Sequence, residues 1–303
     1  MEVIQRNLEE NPELFSIRKE LKKRQRSLLF RRFFSNKSML IGSIIIMLLS
    51  IVVFFAPLIA PQGANEMVVT ERLQAPSGLH LLGTDNFGRD LLSRIVYGSQ
   101  VSMGVGLSVA IFASLLGLVI GLYASYYRVL DGVLMRICDG LMAFPGILLA
   151  IALMAAFGAK TENVVIALSI VFTPYIARVV RSAALTVREQ TYIEAMMAMG
   201  AKSWRIIWLH IAPNTLSPLI VQGTFIFAEA IIVEAALSFL GVGVPAPDPS
   251  WGNILSDGKM VIFQAWWMTA FPGIALILSV LGLNLFGDGL RDFLDPHTNH
   301  VKK

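Results

Sequence analysis

The sequence is poor in the residues on which covalent chemistry depends. It holds one cysteine, Cys138, so no disulfide can form within the chain. Its four histidines, His80, His210, His297 and His300, never fall at a metal-ligand spacing such as His-Glu-x-x-His, and no metal site is expected. No Gly-x-Ser-x-Gly turn occurs, and no cysteine and histidine arrangement sets a nucleophile beside a base, so no catalytic residue is expected. The nearest approach to a phosphate-binding loop, Gly252 to Lys259, has one residue too many between its glycines. Met260 then follows where Ser or Thr would hold magnesium. Charge is scarce as well: Asp, Glu, Lys and Arg make up 15% of the 303 residues. So little charge leaves too little polar surface for a soluble domain of this size.

What is abundant is apolar. Fifty-five per cent of the residues are hydrophobic, and the mean hydropathy is +0.65. A spanning helix needs about 20 consecutive apolar residues. Such runs near 39–60, 101–125, 137–157, 163–180, 216–240 and 261–287 predict six transmembrane helices in an all-α integral membrane protein. The weakest are the third, with Asp139 and Pro145, and the fifth, with Glu229 and Glu234. The first is too long, and too far from the start, to be the apolar region of a cleavable signal peptide. The expected organisation is a cytoplasmic tail at 1–38, one transmembrane domain at 39–296 and a cytoplasmic C-terminal tail at 297–303, with no internal repeat.

Orientation follows from basic charge. With the first tail inside, 20 of the 25 Lys and Arg fall on the cytoplasmic side, which predicts both termini inside. The net charge of +4 expresses this asymmetry rather than an affinity for nucleic acid. The basic stretch Lys22 to Lys37 is either a solvated positive-inside tail or a contact with anionic lipid. Arg31, Arg32, Phe33 and Phe34 stand at its membrane edge.

Between the first two spans lies a long outer loop, 61–100. In it, apolar residues from Phe87 to Val96, with Gly98 as a stop, predict a short separate amphipathic helix. A second outer loop, 241–260, carries Pro245, Pro247 and Pro249 and is expected to be rigid and non-helical. Trp266 and Trp267 fit an interfacial aromatic belt. Inside, 182–215 is expected to form two short helices. Thr191 with Glu194 would cap the first and Gly200 would stop it; Ser203 would cap the second, which would end at Pro213. Tyr192, Ala195, Met196 and Met199 give the first an apolar side. That side suits either docking in a groove on a partner or resting on lipid.

Ionisable groups within spans are costly and usually face a cavity or a partner. Asp139, Glu229 and Glu234 are therefore candidates for a translocation path. For Asp139 the competing reading is a pair with Arg136, Arg178 or Arg181, and for Glu229 a hydrogen bond between helices. Gly117 and Gly121, four apart, favour close helix packing within the chain over a subunit interface.

Glu194-Ala195-Met196, Gly200 and Ile211-Ala212-Pro213 resemble the coupling motif of binding-protein-dependent ABC importer permeases. Met196 replaces an alanine of that motif, and its ending lacks a leucine. Leu82-Gly83-Thr84-Asp85-Asn86-Phe87-Gly88-Arg89-Asp90 resembles the second permease subunit of the peptide/nickel branch. So do Asn284 to Asp292 and Leu294-Asp295-Pro296. The likeness runs from about 39 to 296. It implies a type I importer fold in a prokaryotic inner membrane. The implied partners are a paralogous permease, two cytoplasmic ABC ATPase subunits that bind ATP and Mg, and an extracytoplasmic peptide-binding protein, with lipid around them. No cofactor sits on this chain in that family. The resemblance makes Tyr192, Glu194, Ala195, Met196, Met199, Gly200 and Pro213 the expected ATPase-coupling residues. Asp85, Arg89, Asp90 and Trp251 become candidates for contact with the binding protein. Peptide is the expected cargo; nickel or a metal chelate fits the same motifs, and an autonomous secondary transporter or channel is the remaining alternative.

Overall fold

Asn36 starts the first spanning helix: its side chain accepts the Met39 N–H at 3.1 Å, which satisfies one of the free donors at a helix N-terminus. In the computed structural model, which describes residues 33 to 294 together with Glu20, Arg24 and Ser27, this helix, α1, covers Lys37–Phe54. A short turn of helix, α2 (Ala56–Ile59), continues it. Most of the N-terminal tail, including Arg31 and Arg32, and the segment with Asp295, Pro296, His297 and His300 lie outside the described residues.

The helices that follow are α3 (Leu91–Tyr126), α4 (Arg128–Met142), α5 (Gly146–Phe157), α6 (Thr161–Arg188) and α7 (Thr191–Ala198). Next come α8 (Ser203–Ile206), a π-helical turn Ile207–Ile211, α9 (Ala212–Phe239), α10 (Trp251–Lys259) and α11 (Trp267–Leu294). Among the described residues, five helical runs are long and apolar enough to cross a membrane, and α4 with α5 makes a sixth if its 94° bend is one broken span.

Several expectations need correction. The outer amphipathic helix is not separate: α3 runs unbroken from Leu91 through Gly98 into the long apolar helix. Asp90 caps it, accepting the Ser93 N–H at 2.8 Å. Gly98 is no stop because its bare backbone is packed under the outer loop, 3.4 Å from the Trp251 ring if it carried a Cβ. The third span is not straight. Pro145, lacking an N–H and locked in φ, breaks the run between Met142 and Gly146. Pro213 does not end a helix either. It opens α9, and the upstream π turn absorbs its missing donor, with the Asn214 side chain donating to the His210 carbonyl at 2.6 Å. The second outer loop is not wholly irregular: Ser250 accepts the Asn253 N–H and starts α10 immediately after the prolines. The last span begins at Trp267 rather than at 261.

Close packing rests on small residues. A Cβ on Gly117 would lie 2.6 Å from Ile176 Cβ, and one on Gly121 would lie 2.7 Å from the Ala177 carbonyl. Thus α3 and α6 meet backbone to side chain within this chain, as small-residue spacing allows. Around them Val109, Leu122, Leu168, Ile176 and Ile226 form the apolar core, to which Ile193, Ile206 and Ile211 from the cytoplasmic segment also belong.

Candidate functional site

Three regions of the fold carry the residues singled out by sequence. The first, expected on the cytoplasmic side, is a knob formed by α7 and α8. Ile193 is fully buried against the core and ties α7 to the membrane domain. Backbone rather than side chains begins these helices, which corrects the expected caps. The Gln190 carbonyl accepts the N–H groups of Ile193 and Glu194, and that of Lys202 accepts those of Arg205 and Ile206, so neither Thr191 nor Ser203 caps. Gly200 does stop α7. At φ +78° its N–H donates to the Met197 carbonyl, while the Ala201 N–H reaches back to Met196, a Schellman closure that L side chains rarely permit.

The outward side of the knob is apolar. Met199 is 79% exposed and Tyr192 46%, with Glu194, Ala195, Gly200 and Pro213 also exposed. Met196 departs from the expected set by turning partly inward to the core. Trp204, 59% exposed, and Leu209 extend the apolar surface and were missed in the sequence. The readable signal was an unburied tryptophan just past the helix stop, where a soluble loop would carry polar residues.

The second region is an outer clamp. The Asp85 carboxylate accepts the N–H groups of Phe87 and Arg89 at 2.8 and 2.9 Å and holds Arg89 Nε at 2.5 Å. Arg89 then reaches Asp257 on α10 at 3.3 Å, and Arg94 lies 3.6 Å from Asp85 and 3.8 Å from Asp257. Burial raises the Asp257 pKa, and the two arginines only partly offset it. Beside this cluster, His80 is buried with Nδ1 3.0 Å from Asp90 and Nε2 3.1 Å from Glu71. Burial works against a charged ring, but the hydrogen bonds to Asp90 and Glu71 outweigh it and raise the His80 pKa. Trp251 is 1% exposed and donates to the Ile95 carbonyl. Asp85, Arg89, Asp90 and Trp251, expected at the contact with a binding protein, are therefore buried beneath the surface of this region. Trp267 leaves the expected belt in the same way, buried with its Nε1 donating to the Thr84 carbonyl, while Trp266 stays exposed.

The third region is the surface of α9 and its neighbours. Glu229 is exposed on a spanning helix, and among the described residues no side chain or backbone group pairs with it. Glu234, another carboxylate expected on the path, is the reverse and is buried. At 0% exposure it is enclosed between α3, α9 and α10, where the Ser238 hydroxyl donates to it at 2.7 Å. Asp139 forms an exposed ion pair with Arg178, and Arg181 makes a two-pronged contact with Asp131 at 2.5 and 2.6 Å. The pairing reading for Asp139 thus holds, with Arg178 as the partner.

Residues 113–300 match the family described as binding-protein-dependent transport system inner membrane component, and residues 25–76 match the N-terminal transmembrane domain of oligopeptide transport permease C. A putative peptide transport system permease protein of Brucella abortus is 48% identical over 266 residues, covering 88% of this chain and 90% of that protein. The dipeptide transport system permease protein DppC of Alkalihalophilus pseudofirmus is 46% identical, with 88% of each chain covered. The glutathione transport system permease protein GsiD of Pectobacterium atrosepticum is 40% identical, covering 88% of this chain and 89% of its own. Among solved structures, a chain of the inward-facing MetNI methionine ABC transporter superimposes with a TM-score of 0.57 at 20% identity. It covers 68% of this chain and 98% of the other. That likeness concerns the fold.

Proposed function

The chain belongs to the family of binding-protein-dependent transport system inner membrane components, and on that premise we propose that it is one of two paralogous permeases forming the route of an ATP-driven peptide importer. Two cytoplasmic ATPase subunits bind ATP and Mg and supply the energy. An extracytoplasmic binding protein delivers the cargo, and this chain performs no covalent step. Both termini lie in the cytoplasm, in keeping with the basic asymmetry of the sequence. Peptide as the cargo is supported by relatives named for peptide, dipeptide and glutathione transport.

The observation that carries this reading is the knob. A helix of eight residues rooted by Ile193, closed by Gly200 and showing Tyr192, Ala195 and Met199 outward suits insertion into a groove on another protein. Because Ile193, Ile206 and Ile211 join the knob to the same core as α3 and α6, a push on α7 moves the spans as a rigid unit. Closure of the ATPase pair would in this way turn the permeases outward to accept cargo, and hydrolysis would reset them.

The test is purification of this chain from native membranes in mild detergent, with the co-purifying proteins identified and ATP hydrolysis recorded. A second permease and two ATPases, with hydrolysis stimulated by peptide plus binding protein, are expected. Recovery of the chain alone, moving solute without ATP, would refute the proposal in favour of a secondary transporter.

A further inference from the structure

Pro218, Gln222, Phe225, Glu229 and Ile232 are spaced four, three, four and three apart, so they share one stripe of α9. The buried residues of the helix, Leu219, Ile226, Ala230 and Leu237, lie on a different side. The stripe is half-buried from Pro218 to Phe225 and exposed at Glu229 and Ile232. At its cytoplasmic end it borders a groove of about 440 Å³, walled by Val179 of α6, Gln222 and Phe225 of α9, and Arg291 of α11. That volume falls in the range of small-ligand sites, roughly 300–1,000 Å³.

A carboxylate on a spanning helix that finds no partner among the described residues needs a cation from elsewhere, or water. We propose that Glu229 receives the protonated amino group of the passing cargo, making it the residue by which the route favours molecules that carry an ammonium at one end. The inference rests on the peptide-importer reading and adds to it a specificity determinant within the membrane. The spacing along α9 suits an extended peptide. The seven residues from Gln222 to Glu229 rise about 10 Å along the helix. An extended peptide advances roughly 3.3–3.6 Å per residue, so a tripeptide held at Glu229 by its amino end reaches the groove with its carboxylate. Arg291 lines the groove there with a guanidinium suited to a carboxylate.

The test uses the complete importer in proteoliposomes, with its binding protein saturated by trialanine, and compares wild type with Glu229→Asp, Glu229→Gln and Glu229→Arg. Uptake is expected to fall little for Asp and about tenfold for Gln, in keeping with a hydrogen bond to a charged group. It should be abolished for Arg, and the ATP hydrolysed per peptide delivered should rise in the same order. Wild-type uptake by Glu229→Gln would overturn the proposal. So would loss of uptake together with loss of the second permease from the purified complex, because that would assign Glu229 to the subunit interface. If wild-type liposomes show no peptide-driven ATP hydrolysis at all, the failure lies in the importer reading instead.

Discussion

Arg89 Nη2 and Asp257 Oδ2 stand 3.3 Å apart across 168 positions of sequence, joining the loop before α3 to the helix before α11. With Asp85 and Arg94 they make a buried four-charge cluster in which each arginine faces two carboxylates. The outer face is thereby one body built from two distant segments.

Removing one member should separate them. Arg94→Met leaves two buried or half-buried carboxylates to one arginine, and breaking such a cluster costs about 3–5 kcal/mol. The expected outcome is a protease-sensitive loop at 61–90 when the enzyme is added from outside, with normal amounts of protein in the membrane. Unchanged protection would show that the cluster is dispensable.

The His80 clamp should make the outer domain sensitive to alkali. A ring whose folded pKa is raised above the ordinary 6.5 adds stability that is fully present below that value and is lost as pH rises through the folded one. Thermal unfolding of the purified complex should therefore drop between pH 6 and pH 8.5 in the wild type. His80→Gln should unfold at a lower temperature at pH 6 and show little change across the interval.

Helix packing gives a third expectation. Gly121→Val forces a side chain against the Ala177 carbonyl and Val180, and overpacking of this kind costs about 1–3 kcal/mol. A clear fall in the unfolding temperature is expected. Gly140→Val, at a position with open space around it, should leave the temperature unchanged or raise it.

At the knob, Gly200→Ala strains a positive φ and costs about 1 kcal/mol, whereas Gly200→Pro cannot reach that φ and removes the N–H given to Met197. The alanine variant should keep partial peptide uptake. The proline variant should lose it while inserting normally, as measured by uptake per molecule in the membrane.

Much of this was readable from composition and spacing because a bilayer imposes length and apolarity on every span. Gly200 was legible as a helix stop, since few residues tolerate its backbone, and Gly117 and Gly121 announced close packing by their spacing. What failed was tertiary in origin. Asp85, Arg89 and Asp90 look like surface charges along the sequence, and only the approach of Asp257 from α10 to Arg89 and of His80 to Asp90 shows that they are enclosed. Glu229 and Glu234 are one and a half turns apart on the same apolar run. Which of them faces outward depends on where α3 and α10 lie, and periodicity does not encode that. The break at Pro145 and the continuity past Pro213 show the same residue type acting oppositely, and Pro174, Pro218 and Pro272 also sit inside unbroken helices.

In the proposed importer, α7 enters a groove on an ATPase. The most direct test of this docking places a single cysteine at Ala195, in a Cys138→Ser background, and attaches a short photoreactive cross-linker in native membranes. A second cysteine protein, at the exposed Leu115 of α3, serves as the control. The account predicts one major adduct of Ala195 with a nucleotide-binding subunit, its yield changing when ATP is added, and only lipid adducts from Leu115. Lipid adducts from both positions would contradict it.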